Sequence, residues 1–142
     1  LFLMESRKIN NKFLIRLKKG EKIIETLIKF CKENNINSGY LFAIGAISKA
    51  ELAHYNLNNK EYSSKTFDEQ LEVCSLTGNI AFVEEELFLH VHVVLADDKM
   101  QTYAGHLKEG VVSATLEVIL TPWNERIDRK HSEEIGLNLL EI

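Results

Sequence analysis

The sequence predicts an α/β domain of the α+β kind, mostly β-sheet with one main helix. Short apolar segments of strand length recur along most of the chain, and several alternate apolar with polar residues. A 3.6-residue apolar period appears once, from Glu21 onward. With 142 residues, 45% of them apolar and 27% charged, the chain is long enough for one core without disulfide staples. Residues 1–11 read as an N-terminal extension and 12–142 as one domain, with no internal repeat, low-complexity stretch or linker.

The elements follow in order. Lys12–Lys18 reads as a strand that leaves through Lys19-Gly20. Ile23, Ile24, Leu27, Ile28 and Cys31 then form one helical stripe, which fades at Asn34-Asn35, whose side chains compete for backbone hydrogen bonds. Gly39–Ile47 is an apolar strand with a bulge or close backbone approach expected at Gly45. Glu51–Leu57 and Glu61–Phe67 form a hairpin across Asn58-Asn59-Lys60. Leu71–Leu76 is a strand expected to end near Thr77-Gly78-Asn79, and Ile80–Val83 precedes a solvated turn at Glu84-Glu85-Glu86. Glu86–Ala96 is a strand, Asp97-Asp98-Lys99 its turn, and Gln101–Leu107 the return. Val111–Leu120 carries apolar residues at every even position and stops at Thr121-Pro122. The tail from Trp123 is polar, with a short apolar run at Ile135–Leu140.

The net charge of −4 argues against nucleic-acid binding through the overall field, and the basic residues between Arg7 and Lys22 read as a solvated face. No Arg-Gly-Arg-Pro element occurs in the sequence. No apolar run is long enough for a transmembrane helix. Leu1-Phe-Leu-Met4 is too short for a secretion signal, and Met4 is the expected natural start. Cys31 and Cys74 fit no C-x-x-C pattern and read as free, buried thiols in a reducing cytoplasm.

His90 and His92 are the chemical feature of the chain. In a strand, residues i and i+2 share a face, so both imidazoles project from one side with Phe88 and Val94, opposite Leu89, Val91, Val93 and Leu95. His106 joins them only in one register. A three-residue loop, Asp98 to Met100, sets it directly opposite His92, whereas a loop of two or four residues turns it to the other face. Three neutral imidazoles would hold a zinc-like ion and leave one position open, but strand histidines are also commonly just hydrogen-bonded or half-exposed. Glu117, on the polar face of a strand expected to adjoin His106, is the candidate acid–base group or fourth ligand; as a solvent-facing glutamate it needs no such role. His54 and His131 lack comparable partners.

Several segments, taken in order, resemble the plants-and-prokaryotes-conserved (PPC) domain. They are Phe13-Leu-Ile-Arg-Leu-Lys-Lys-Gly-Glu21, Ile44-Gly-Ala-Ile-Ser48, Leu71-Glu-Val-Cys-Ser-Leu-Thr-Gly78, Leu89-His-Val-His-Val-Val-Leu-Ala-Asp97, Ala104-Gly-His-Leu107 and Ala114-Thr-Leu-Glu-Val118. The family usually has a second glycine where this chain has Ala104. The resemblance implies a strongly bent, largely antiparallel sheet with a packed helix, assembly as a homotrimer, and a DNA-binding label that comes from plant members carrying an A·T-hook and is extended to prokaryotic members by analogy. Without the hook, this chain resembles the stand-alone prokaryotic type. The fold is also similar to that of acetolactate decarboxylase, whose zinc is held by an H-x-H pair and a later histidine. That likeness maps a zinc or similar divalent metal onto His90, His92 and His106. It leaves two expectations. One is a DNA-binding, regulatory or interaction module by family analogy. The other is a metal-dependent enzyme acting on a small carbonyl or carboxylate compound, with Glu117 in acid–base catalysis and Arg16 gripping a carboxylate.

Overall fold

The computed structural model describes residues 4–142, so Leu1-Phe2-Leu3, read as preceding the natural start, lie outside the described residues. Among the described residues, nine strands form one bent sheet against a single helix: β1 (Glu5–Ile9), β2 (Lys12–Lys18), α1 (Ile23–Glu33), β3 (Gly39–Asn56), β4 (Glu61–Phe67), β5 (Leu71–Val83), β6 (Glu86–Ala96), β7 (Thr102–Pro122), β8 (Asp128–Ser132) and β9 (Leu137–Leu140). All pairings are antiparallel except that of β5 with β8. Strands β3, β5, β6 and β7 pair in a closed circuit, β7 returning to β3. No helix among the described residues is long and apolar enough to cross a membrane.

The helix forms where the 3.6-residue period predicts it. Ile23, Leu27, Phe30 and Cys31 are buried, and Phe30 meets the edge of Phe13 at 5.2 Å. Burial pushes the Cys31 thiol up to about 12. No residue at the start of the helix supplies a side-chain cap. Instead the Glu109 carboxylate, from β7, accepts hydrogen bonds from the Ile24 and Glu25 N–H groups at 2.8 and 3.1 Å. A carboxylate there both satisfies orphan donors and opposes the positive end of the helix dipole. Asn34 and Asn35 end the helix, the latter at φ 54°.

The structure joins strands that the sequence reading divided. Gly39–Ile47 and Glu51–Leu57 are one 18-residue strand, and Gln101–Leu107 and Val111–Leu120 are one 21-residue strand. Their polar or glycine-bearing junctions are bulges. The β3–β7 register shifts between Gly45 and Ile47, Ile47 and Lys49, and Glu51 and Leu52. Each extra residue bends the strand while hydrogen bonding resumes beyond it, so a bulge and a turn share one local signature in sequence. Ala114 falls next to this bent region and is exposed despite its even position.

Thr77-Gly78-Asn79 likewise does not end β5, which runs through to Val83. Gly78 pairs with Val91, and a Cβ there would lie 2.1 Å from the His90 carbonyl oxygen. Gly45 has the same constraint, with the Thr115 carbonyl oxygen 2.0 Å from an added Cβ. Cys74, expected to be buried, is exposed. It is the extra residue where the β5–β6 register shifts between Val73 and Ser75, so Cys74 and Ser75 both turn outward.

The first and last strands of the described residues are built into the sheet. Residues before Lys12 supply β1, whose register with β2 runs from Glu5↔Arg16 to Ile9↔Lys12. The polar tail supplies the β8–β9 hairpin, in which Phe82↔Asp128 and Val83↔Arg129 join β8 to the end of β5. The hairpin turn is held from the β3–β4 side, where Tyr55 Oη donates to the Ile135 carbonyl and Lys60 Nζ to that of Glu133, both at 2.6 Å.

Gly78→Ala is expected to destabilise the fold by about 1–3 kcal/mol, because the new methyl overpacks a backbone contact. Thermal unfolding should show the midpoint lowered by several degrees; an unchanged midpoint would contradict the close β5–β6 approach.

Candidate metal centre

Strand parity places the histidines as the sequence predicts. On β6, Leu89, Val91, Val93 and Leu95 are buried, while His90 is half-buried and His92 exposed on the opposite face. The connection to β7 is the three-residue loop Asp98–Met100. The Asp97 N–H donates to the Gln101 carbonyl at 3.0 Å, and Met100, at φ 62°, donates to the Asp97 carbonyl at 3.1 Å. The Asp97 carboxylate Oδ1 also accepts from the N–H groups of Lys99 and Gln101 at 2.9 and 3.0 Å, fixing the turn from inside. His92 therefore stands directly opposite His106.

The three rings converge. Their centroids are 5.1 Å apart for His90–His92, 5.4 Å for His90–His106 and 5.7 Å for His92–His106. One nitrogen from each lies within 4.8 Å of the others. A tetrahedral zinc with ligands at about 2.1 Å sets its donor nitrogens about 3.4 Å apart, so small side-chain rotations close the set. The chemistry of the donors fits such an ion. His106 Nδ1 is buried with no hydrogen-bond partner, an acceptor or donor that costs free energy until something meets it. Burial, then the charges of Arg129, His92 and His106, lower the His90 pKa to about 4, so its imidazole is neutral near pH 7 and ready to donate a lone pair. His106 is lowered too, first by burial and then by His92 and Lys108.

His90 and His106 open onto a cavity of about 540 Å³. Val83, Phe88, Tyr62 and the β9 residues Leu137 and Leu139 give it apolar walls, with Tyr62 5.6 Å from the His106 ring. Lys108 and Arg129 also line it. Lys108 Nζ is tied to Glu51 at 2.9 Å. The Arg129 guanidinium bonds the Asn79 side-chain oxygen and, at 3.0 Å, the Asn138 carbonyl, and lies 5.7 Å from the Phe88 ring centroid. Asn79 is the direct cross-strand neighbour of His90, so the guanidinium is held beside the imidazoles.

Glu117 and Arg16 are brought to each other but, within one chain, not to the histidines. They face across β7 and β2 in a second cavity, of about 660 Å³, with Leu14, Phe42, Ile44 and Ile119. Arg16 and Lys18 both pair with Glu5, and these two cations hold the Glu5 carboxyl below its usual range, Lys18 contributing most. Arg129, Asn79 and the C-terminal hairpin are the site residues that sequence reasoning missed. Strand parity would have found Asn79 had β5 been continued through Gly78; no periodicity in residues 123–142 marks Arg129.

Fold and geometry together define a bent-sheet domain with a three-histidine cluster on its outer face. The profile of the Plants and Prokaryotes Conserved domain matches residues 4–124, and the chain belongs to that family. Its structure is similar to that of a candidate DNA-binding protein from Bacteroides thetaiotaomicron (34% identity, 99% of this chain and 98% of that one, TM-score 0.95). It is similar also to a metal-containing protein from Archaeoglobus fulgidus (32% identity, the full length of both chains, TM-score 0.86). The acetolactate decarboxylase of Bacillus subtilis shares the fold more distantly (12% identity, 88% of this chain and 58% of that one, TM-score 0.52). Among curated proteins, the bifunctional protein GlmU of two Synechococcus strains is 28% identical over 108 and 131 residues. Those matches cover 75% and 90% of this chain, which spans 16% and 20% of the relatives' length.

The low His90 pKa has a defined consequence for metal-free protein. Below pH 6.5 an unfolded imidazole gains a proton that folded His90 takes up only near pH 4. Stability should therefore fall as pH drops through that window and be insensitive to His90 above it. Denaturant unfolding of chelator-treated protein checks this: His90→Asn should flatten the slope, and an identical slope in the variant would count against the burial of this imidazole.

Proposed function

We propose that this chain is a homotrimeric PPC-domain module whose His90, His92 and His106 hold one zinc-like divalent ion and present it to a small molecule. The observation that carries the reading is the convergence of three nitrogens within 4.8 Å beside a cavity of about 540 Å³. The metal content of the Archaeoglobus relative supports it. Three protein ligands leave a position for exchange, as in sites that bind or activate ligands rather than merely brace a fold. A bound ion would supply Lewis acidity toward a ligand oxygen. The chain's own part is to keep His90 neutral, to hold His92 against His106 through the hairpin register, and to wall the site with Phe88 and Tyr62.

For the trimer, the supporting surface is the second cavity. Leu14, Phe42 and Ile44 are 44%, 46% and 57% exposed there, an apolar group suited to contact with another copy. We assign Arg16 and Glu117 to that contact. The Bacteroides relative brings a DNA-binding reading with it; retention on duplex DNA that falls steeply with salt would be its signature.

Elemental analysis of protein made without a histidine tag should find about one metal ion per chain, and His92→Ala should lower metal affinity by more than about 100-fold. Less than about one-tenth of an ion per chain after zinc loading sinks the metal reading. Sedimentation at micromolar concentration should give a trimer for the wild type and smaller species for Ile44→Glu. A monomeric wild type removes the trimer.

A further inference from the structure

The histidine cavity has a charge character opposite to that of the chain. The protein carries a net −4, yet no aspartate or glutamate is among the residues lining this cavity, whereas Arg129 and Lys108 are. Arg129 is held rigidly, its two terminal nitrogens bonded to Asn79 and Asn138, and its Nε–H is buried with no partner. A guanidinium has five N–H donors, and an unpaired buried one is costly. Phe88, Val83, Leu137 and Leu139 give the cavity apolar walls beside the histidines. Such a site favours an anion with a short hydrocarbon body over a free inorganic ion.

We propose that this cavity binds a small organic acid, with Arg129 gripping its carboxylate, Leu137 and Leu139 covering its chain, and its second oxygen turned toward the histidine cluster. The last contact rests on the metal reading above; the carboxylate contact does not. The carboxylate-binding element is the β8–β9 hairpin, residues 128–140, which lies beyond the residues matched by the family model, 4–124. The cavity is thus built jointly by the matched segment, through Val83, Phe88 and the histidines, and by the hairpin that follows it. Arg16, the carboxylate-binding candidate from sequence, is engaged by Glu5 in the other cavity.

The test uses 4-methyl-2-oxopentanoate and its uncharged methyl ester as probes, titrated calorimetrically into zinc-loaded protein. The wild type should prefer the acid by about tenfold or more, the range of a charge-assisted guanidinium–carboxylate contact. Arg129→Gln should abolish the preference by weakening the acid while leaving the ester unchanged. Equal weakening of both probes would make Arg129 a structural clamp and overturn the proposal. So would a wild type that binds the ester as tightly as the acid, or binds neither at about 10 mM. If Arg129→Gln fails to fold, Arg129→Lys, which keeps the charge but loses the fork, should reduce the preference; an undiminished preference refutes the assignment. Zinc uptake is measured first. Acid preference that depends on Arg129 in a chain taking up no zinc keeps the carboxylate site and discards the metal reading. Zinc uptake with no acid preference does the reverse.

Discussion

The register of one hairpin governs the site. Side chains alternate along a strand with period two, so moving β7 by one residue against β6 would carry His106 through the sheet and bury it against the core. The loop Asp98–Met100 prevents this through a single side chain. The Asp97 carboxylate accepts two backbone N–H bonds from inside the turn, while Met100 takes the left-handed conformation that closes a three-residue connection. Burial of Val93 and Leu95 on one strand and Leu107 on the other enforces the same register from the core side. The turn and the core agree, and the imidazoles meet as a result.

The bends in the long strands serve the same end. β7 must pair with β6 near its start and with β2 and the first half of β3 near its end, which a straight strand cannot do. Bulges around Ile47 and Leu52 supply the curvature, and Gly45 and Gly78 let neighbouring backbones approach where a side chain would collide. Gly78 lies one residue from Asn79, the partner of His90. The closeness of β5 to β6 thus positions the residue that carries Arg129 to the histidines.

Electrostatics then separate the two cavities. Around Arg16 the cations are matched by Glu5 on β1, and the exposed apolar side chains dominate. Around His90, Lys108 is matched by Glu51 while Arg129 meets only neutral oxygens, and burial lowers the pKa of His90 and His106. One sheet thereby carries an apolar face whose cations are ion-paired and a histidine face whose Arg129 bonds only neutral oxygens.

By itself the sequence determined the helix, through its 3.6-residue stripe; the parity that pairs His90 with His92; and the hairpin across Asn58–Lys60. Each is a local property, readable from period and turn chemistry. It left the position of His106 conditional, because two, three or four loop residues are all allowed until the core of the opposite strand is fixed. It divided β3, β5 and β7 at residues that are bulges or close approaches, because a polar or glycine-bearing interruption looks the same whether the chain turns or only bends. It read residues 123–142 as a polar tail, because β8 has no apolar face of its own and is held by pairing with the end of β5. Tertiary structure alone decided that, within one chain, Glu117 and Arg16 line a different cavity from the histidines and that Arg129 stands beside them. The reason is physical: contacts between residues distant in sequence depend on which strands adjoin, and strand adjacency follows from burial of the whole core rather than from any single segment.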